Sequence, residues 1–184
     1  MYGMIHRAAR SFAIEQLGEA FWAGFSQQNG LTDAAFITAE SYPDDMTFGL
    51  VAGLSEASGI PQPALLEAFG VYWIDFARQG PYASVMAMGG GTLPEFIGNL
   101  NRMHGGLALA MPGSRMPGFQ LLADTPEHLQ LNYLSERQGL ETFVLGLLRG
   151  LCGMFGVEAD VRCGPPGPGG GVMFEIRYLT PVET

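Results

Sequence analysis

The chain has 184 residues, 47% of them hydrophobic, a net charge of −9, and arginine as every one of its nine Lys-plus-Arg residues. That length suggests one domain with material for a sizeable core and a buried ligand. The acidic balance argues against a nucleic-acid partner, whose phosphates call for a basic face, and no apolar run reaches the ~18 residues of a membrane span.

The N-terminus, Met1 to Arg7, lacks the apolar core and cleavage site of a signal peptide, so a soluble cytoplasmic protein is expected. Residues 2–17 read as an amphipathic helix, with Ile5, Ala9, Phe12, Ala13 and Leu17 at helical spacing. A short helix over 19–28 ends near Asn29-Gly30. Ser41-Tyr42-Pro43-Asp44-Asp45 opens a third, with acids where the helix dipole favours them, and Gly59 closes it. Pro61 to Arg78 forms a strongly apolar helix containing Leu65, Leu66, Phe69, Trp73 and Phe76. Residues 80–93 read as a loop with Gly89 to Gly91, and Pro94 suits the first turn of a helix running to about Met111. Beyond Pro112 the pattern alternates. Phe119 to Ala123 and Leu129 to Ser135 read as strands joined by Asp124-Thr125-Pro126-Glu127. A helix over Leu140 to Phe155 and strands over Val157 to Cys163 and Val172 to Leu179 complete the chain, with Gly164 to Gly171 as a flexible hairpin loop. The fold class is α+β, helical first.

Two cysteines, Cys152 and Cys163, are too few for a structural zinc and form no Cys-x-x-Cys, so ordinary thiols are expected. His6 and His128 read as solvated. His104 differs, sharing an apolar helix face with Ile97, Leu100, Leu107 and Met111. By itself that pattern suits a core histidine bonded to a carbonyl. Gly105 and Gly106 tilt the balance, because each glycine inside a helix costs about 1 kcal/mol against alanine, as though a flat group approached the backbone there.

Tyr133-Leu134-Ser135-Glu136-Arg137 is the second polar signal. On a strand, Tyr133, Ser135 and Arg137 point to one side, and a phenol, a hydroxyl and a guanidinium all donate to carboxylates. Taken alone, the triplet suits an ordinary solvent-facing strand. With His104 it describes the two ends of a haem: an iron on one side and propionates on the other.

These motifs, with Leu65-Leu66-Glu67-Ala68-Phe69-Gly70, Phe96 to His104, and Arg115-Met116-Pro117-Gly118-Phe119, resemble the H-NOX family, the haem nitric oxide/oxygen binding domain also found in soluble guanylate cyclase. The resemblance spans nearly all of residues 1–180 of a single domain, 1–184. It implies a helical distal lobe (about 1–60) and a proximal lobe (about 61–184) with a helix and a four-stranded antiparallel sheet. It also implies a b-type haem with His104 on the iron, Tyr133, Ser135 and Arg137 on the propionates, and Pro117 and Ile5 against the macrocycle. The distal-pocket positions are Ala9, Trp73 and Phe143. Oxygen-binding relatives carry a tyrosine where Phe143 stands, a tryptophan at Ala9 and an asparagine at Trp73. A sensor of nitric oxide and carbon monoxide, not an enzyme, is therefore expected, with Tyr72 and Trp73 as groups that bear on oxygen. With no cyclase before Thr184, a separate histidine kinase or cyclic-di-GMP enzyme would read the signal. The alternatives are a haem peroxidase or oxygenase, which needs a distal acid–base group, and a module for another hydrophobic ligand.

Overall fold

A computed structural model describes residues 1–31, 36–37, 40–80, 82–111 and 113–180. The expected change of pattern at Pro112 and the last four residues of the 1–184 domain lie outside the described residues.

Seven helices are described: α1 (Gly3–Leu17), α2 (Glu19–Gln28), α3 (Asp44–Ser58), α4 (Gln62–Gln79), α5 (Ala83–Ala87), α6 (Leu93–Ala110) and α7 (Glu141–Met154). Four strands are described: β1 (Gly118–Asp124), β2 (His128–Leu134), β3 (Ala159–Pro166) and β4 (Val172–Tyr178). They form one antiparallel sheet in the order β1-β2-β4-β3. The α+β architecture and the four-stranded antiparallel sheet agree with the sequence reading. Local chemistry sets the ends. Gly59 takes a left-handed conformation (φ 73°) and its N–H returns to the Ser55 carbonyl. In α6 the Thr92 hydroxyl accepts from the Glu95 N–H, while the Glu95 carboxylate accepts from the Gly91 N–H.

Two apolar cores form, and α4 contributes to both. Its first half (Leu65, Phe69) packs with α1, α2 and α3 around Phe12, Trp22, Phe25 and Leu54. Its second half (Ile74) joins α6, α7 and the inner face of the sheet. That inner face is Phe119, Leu129, Leu131, Tyr133, Val161, Phe174, Ile176 and Tyr178, the alternation that a half-buried sheet requires.

The structure departs from the sequence reading in four places. The 80–93 segment contains the short helix α5. The loop reading of Gly164 to Gly171 fails at its start: β3 continues to Pro166, which pairs with Val172 after a register shift. Proline is tolerated there because β3 is an edge strand. The rest of that segment folds back as a 3-10 turn, Pro168–Gly170, over the outer face. Its Pro168 carbonyl accepts from the Asn132 amide at 2.9 Å, and Asn132 is fully buried. A Cβ at Gly171 would lie 2.7 Å from the Tyr133 carbonyl oxygen, so only glycine fits.

His6 is the third departure. Far from solvated, it is 0% exposed, stacked on Phe36 at 4.6 Å and 2.9 Å from the Thr47 hydroxyl. Burial first, and then the positive N-terminal amine, push its pKa down to about 4, against a smaller upward pull from the Tyr2 carbonyl. A terminal helix hides its histidine here because Phe36 and the 40–42 segment lie over α1: the Gly3 N–H donates to the Glu40 carbonyl, and Tyr2 bridges to Ser41. His128 opens β2 half-buried, 3.2 Å from the Thr125 hydroxyl. The fourth departure, at Ser135 to Arg137, belongs to the site.

Candidate functional site

A largely apolar cavity of about 240 Å³ lies between α6 and the 114–117 segment on one side and α1, α4, α5 and α7 on the other. His104, Pro117, Ile5, Trp73, Phe143, Tyr133, Ser135 and Arg137 all line it. Residues separated by up to 138 positions in the chain thus meet at one place. Ala9 does not line it; it is buried in the core of α1, α3 and α4.

His104 reaches the cavity from the fourth turn of α6. Its Nδ1 lies 3.2 Å from the Pro117 carbonyl oxygen. A carbonyl only accepts, so Nδ1 carries the proton and Nε2 keeps its lone pair. Burial lowers the pKa of the ring, with the Pro117 carbonyl pulling weakly the other way, so a neutral imidazole is favoured. A backbone carbonyl on the far nitrogen is the usual support of a metal-binding imidazole. Asn101, one turn earlier, holds this arrangement in place. Its amide donates to the Phe119 carbonyl at 2.6 Å and its oxygen accepts from the Phe119 N–H at 2.8 Å, so it ties α6 to β1 two residues beyond Pro117. Gly105 and Gly106 do not serve the cavity. They are exposed, a Cβ on either would meet open space, and neither lines the cavity. Their expected role of admitting a flat group is overturned, because the helix turns that face to solvent.

The Tyr-Ser-Arg residues do not share a strand. β2 ends at Leu134, opposite Gly118. The Ser135 hydroxyl then accepts from the Arg137 N–H at 3.0 Å, a local side-chain bond that competes with the strand ladder and turns the chain. The three side chains still converge on the cavity, through this turn and not through strand alternation. Burial raises the Tyr133 pKa, with the Ser135 hydroxyl partly offsetting it, so the phenol is a donor. The Arg137 guanidinium is 14% exposed; its Nε donates to Asp44 Oδ2 at 2.9 Å and its Nη1 to the Arg115 carbonyl at 2.7 Å.

Asp44 is therefore part of the site, though in the sequence it reads only as a helix-opening acid. Its carboxylate takes Arg137, Arg115 at 2.9 Å and the Met1 amine at 2.8 Å. Burial by itself would raise its pKa, but the bonds from the Met1 amine and Arg137 outweigh it and hold the carboxyl below the usual range.

The wall formed by α1, α4, α5 and α7 carries two polar rings, Trp73 and Tyr82, tilted against each other with centroids 6.3 Å apart. Tyr82 escaped sequence reasoning, which took its surroundings for a loop; burial raises its pKa, so it stays a protonated phenol. The Tyr72 hydroxyl points elsewhere, to Ser11 and Glu15 of α1. Phe143 stacks on Phe69 at 5.3 Å and contributes no donor.

The donor set fits a haem: a neutral imidazole with its second nitrogen pinned, apolar walls, and a phenol, a hydroxyl and a guanidinium at one end. Among the described residues no three His, Cys, Asp or Glu side chains cluster as a metal site of their own. Cys152 is buried and Cys163 exposed, both unpaired.

Comparison with known proteins agrees with this chemistry. The profile of the "Haem-NO-binding" family matches residues 2–163. Soluble guanylate cyclase gcy-31 of Caenorhabditis elegans is 25% identical over 151 residues, covering 82% of this chain and 22% of its own. The guanylate cyclase soluble subunit beta-2 of Rattus norvegicus is 33% identical over 98 residues, covering 53% and 14%. The chain thus spans less than a quarter of the length of these relatives. Two solved structures share the fold. One is an H-NOX protein from S. oneidensis in the Fe(II) ligation state, with TM-score 0.85, 16% identity, and coverage of 100% of this chain and 98% of that one. The other is an Fe(II) unliganded H-NOX protein from K. algicida, with TM-score 0.81, 18% identity and full coverage of both.

Proposed function

The chain belongs to the haem-NO-binding family, and from that premise we propose that it is a haem-based sensor for nitric oxide, without catalytic turnover, that reports to a separate effector. The observation that carries the reading is His104, a half-buried imidazole that lines the cavity and whose Nδ1 is committed to the Pro117 carbonyl, which leaves the Nε2 lone pair free for a metal. A b-type haem bound there would supply the ferrous iron that takes up a diatomic gas. His104 would hold its iron, Tyr133, Ser135 and Arg137 would hold its carboxylates, and Ile5 and Pro117, which line the same cavity, would pack against the macrocycle.

The same residues connect the gas site to the rest of the molecule. The Pro117 carbonyl orients the His104 ring, Asn101 ties Phe119 to α6, and Arg137 joins the site to Asp44 at the start of α3. A change of tension on His104 would thus pass to the 114–117 segment and, through Arg137, to the helical half. Phe143 gives bound oxygen no hydrogen-bond donor, so nitric oxide and carbon monoxide are the preferred ligands. The effector is a histidine kinase or a cyclic-di-GMP enzyme, and the sensor works in the cytoplasm.

The deciding experiment is an optical spectrum of the purified, reduced protein. Nitric oxide and carbon monoxide each shift the Soret band, and air gives no lasting shift. A lasting shift in air would overturn the selectivity, and Tyr82→Phe would then show whether that hydroxyl is the donor. A protein that takes up no haem would overturn the sensor reading as a whole.

A further inference from the structure

The segment that carries Pro117 contains another polar group without a partner. The Ser114 hydroxyl oxygen is buried and makes no hydrogen bond, although the Ser114 N–H is satisfied by the Met111 carbonyl at 3.1 Å. A buried donor left unbonded is costly, and such groups are rare enough in native proteins that each calls for a reason.

Its position supplies one. Ser114 lines the main cavity, and it also lines an adjoining polar cleft with Arg115, Ser135 and Glu136. It therefore stands in the wall between the cavity and the cleft, beside the turn that presents Ser135 and Arg137. The charged donors in this corner are already committed in the ligand-free protein: Arg137 and Arg115 to Asp44, and Arg115 also to Glu136 at 3.6 Å. The Ser135 oxygen accepts from the Arg137 N–H. Among the described residues, the Ser114 hydroxyl is the one in this corner that is buried without a hydrogen-bond partner. A hydroxyl can turn its O–H toward whichever acceptor arrives, and a carboxylate makes the strongest bond with it.

We propose that the Ser114 hydroxyl is a further carboxylate donor of the site, binding a haem propionate alongside Tyr133, Ser135 and Arg137. This rests on the haem reading above and adds a residue that neither the helical periodicity nor the Tyr-x-Ser-x-Arg spacing points to.

The test compares the rate of haem loss to an acceptor apoprotein for the wild type, Ser114→Ala and Ser114→Thr, each loaded with haem or with haem dimethyl ester, whose carboxylates are blocked. Ser114→Ala should lose haem about tenfold faster, the size expected for one bond to a charged acceptor. Ser114→Thr, which keeps the hydroxyl, should stay near the wild type. The difference between wild type and Ser114→Ala should vanish with the dimethyl ester. In resonance Raman spectra, the propionate-bending band of the haem-loaded protein should move in Ser114→Ala and not in Ser114→Thr. Equal rates of haem loss from wild type and Ser114→Ala would overturn the proposal. So would a difference that persists with the ester, because a packing defect does not depend on the carboxylates. A wild-type protein that takes up no haem overturns the haem reading and this inference with it, and is seen before any variant is compared.

Discussion

At His104 one hydrogen bond decides which ring nitrogen is available. The Pro117 carbonyl accepts a hydrogen bond from the Nδ1–H, and Nε2 is left as the donor atom for a metal. His104→Ala removes that atom without touching the carboxylate end. The variant should lose nearly all bound haem through purification, and added imidazole should restore a haem spectrum by filling the vacated space. Full haem content with an unaltered Soret band in the variant would remove His104 from the ligand position. The histidine and the triplet were both legible as residue types, since an imidazole in an apolar face and three spaced donors are rare patterns. Their partners were not. Asp44 lies 93 positions from Arg137 and Pro117 13 positions from His104, and no local period links them.

At the scale of elements, α4 and α7 meet backbone to backbone. A Cβ at Gly146 would fall on the Glu67 carbonyl and 3.0 Å from Gly70 Cα, and one at Gly70 would lie 2.7 Å from the Leu147 N. One at Gly150 would lie 2.8 Å from the Ile74 side chain. These glycines let the two helices that line the cavity approach closely, and Phe143 and Trp73 inherit their places from that contact. Gly146→Ala raises helix propensity yet should destabilise the protein by about 1–3 kcal/mol, because the overpacking forces the helices apart. Chemical denaturation is the measurement, and a midpoint at or above that of the wild type would refute the close contact. The sequence marked the helices correctly by their apolar period, but it drew attention to Gly105 and Gly106, which face solvent. A glycine looks the same in a sequence whether it meets a neighbouring backbone or water.

Across the whole molecule, the N-terminal segment and α3 are bound to the sheet side by polar contacts. Asp44 holds Arg137 and Arg115, and the Tyr2 hydroxyl donates to the Met111 carbonyl at 2.8 Å. Two groups of the helical half, the buried His6 and the half-buried Asp44, make stability depend on pH in the same direction. His6 has a folded pKa of about 4 against 6.5, so the unfolded chain takes up a proton that the folded one refuses. No stability is lost above pH 6.5; it then falls as pH drops toward 4, by about 3 kcal/mol in all. Asp44 has a depressed folded pKa, so its contribution is present above the ordinary carboxylate value and is lost at still lower pH. Thermal melts should therefore fall between pH 6.5 and 4 in the wild type and fall much less over that window in His6→Gln. Parallel curves for the two proteins would show that His6 is not the group responsible.

What the sequence determined by itself was the α+β class, the helices and strands to within a few residues, and the types of residue that line the cavity. Those follow from hydrophobic period, capping residues and short motifs, all of which act over a few positions. Only the tertiary structure decided that His6 is buried, that Ser135 and Arg137 sit on a turn, that the glycine- and proline-rich segment folds back over Asn132, and that Asp44, Tyr82 and Ser114 belong to the site. Burial and hydrogen-bond partners depend on which distant segments the collapsed chain brings together. That choice is made by packing of the whole core, and it leaves no periodic mark on the sequence around any one residue.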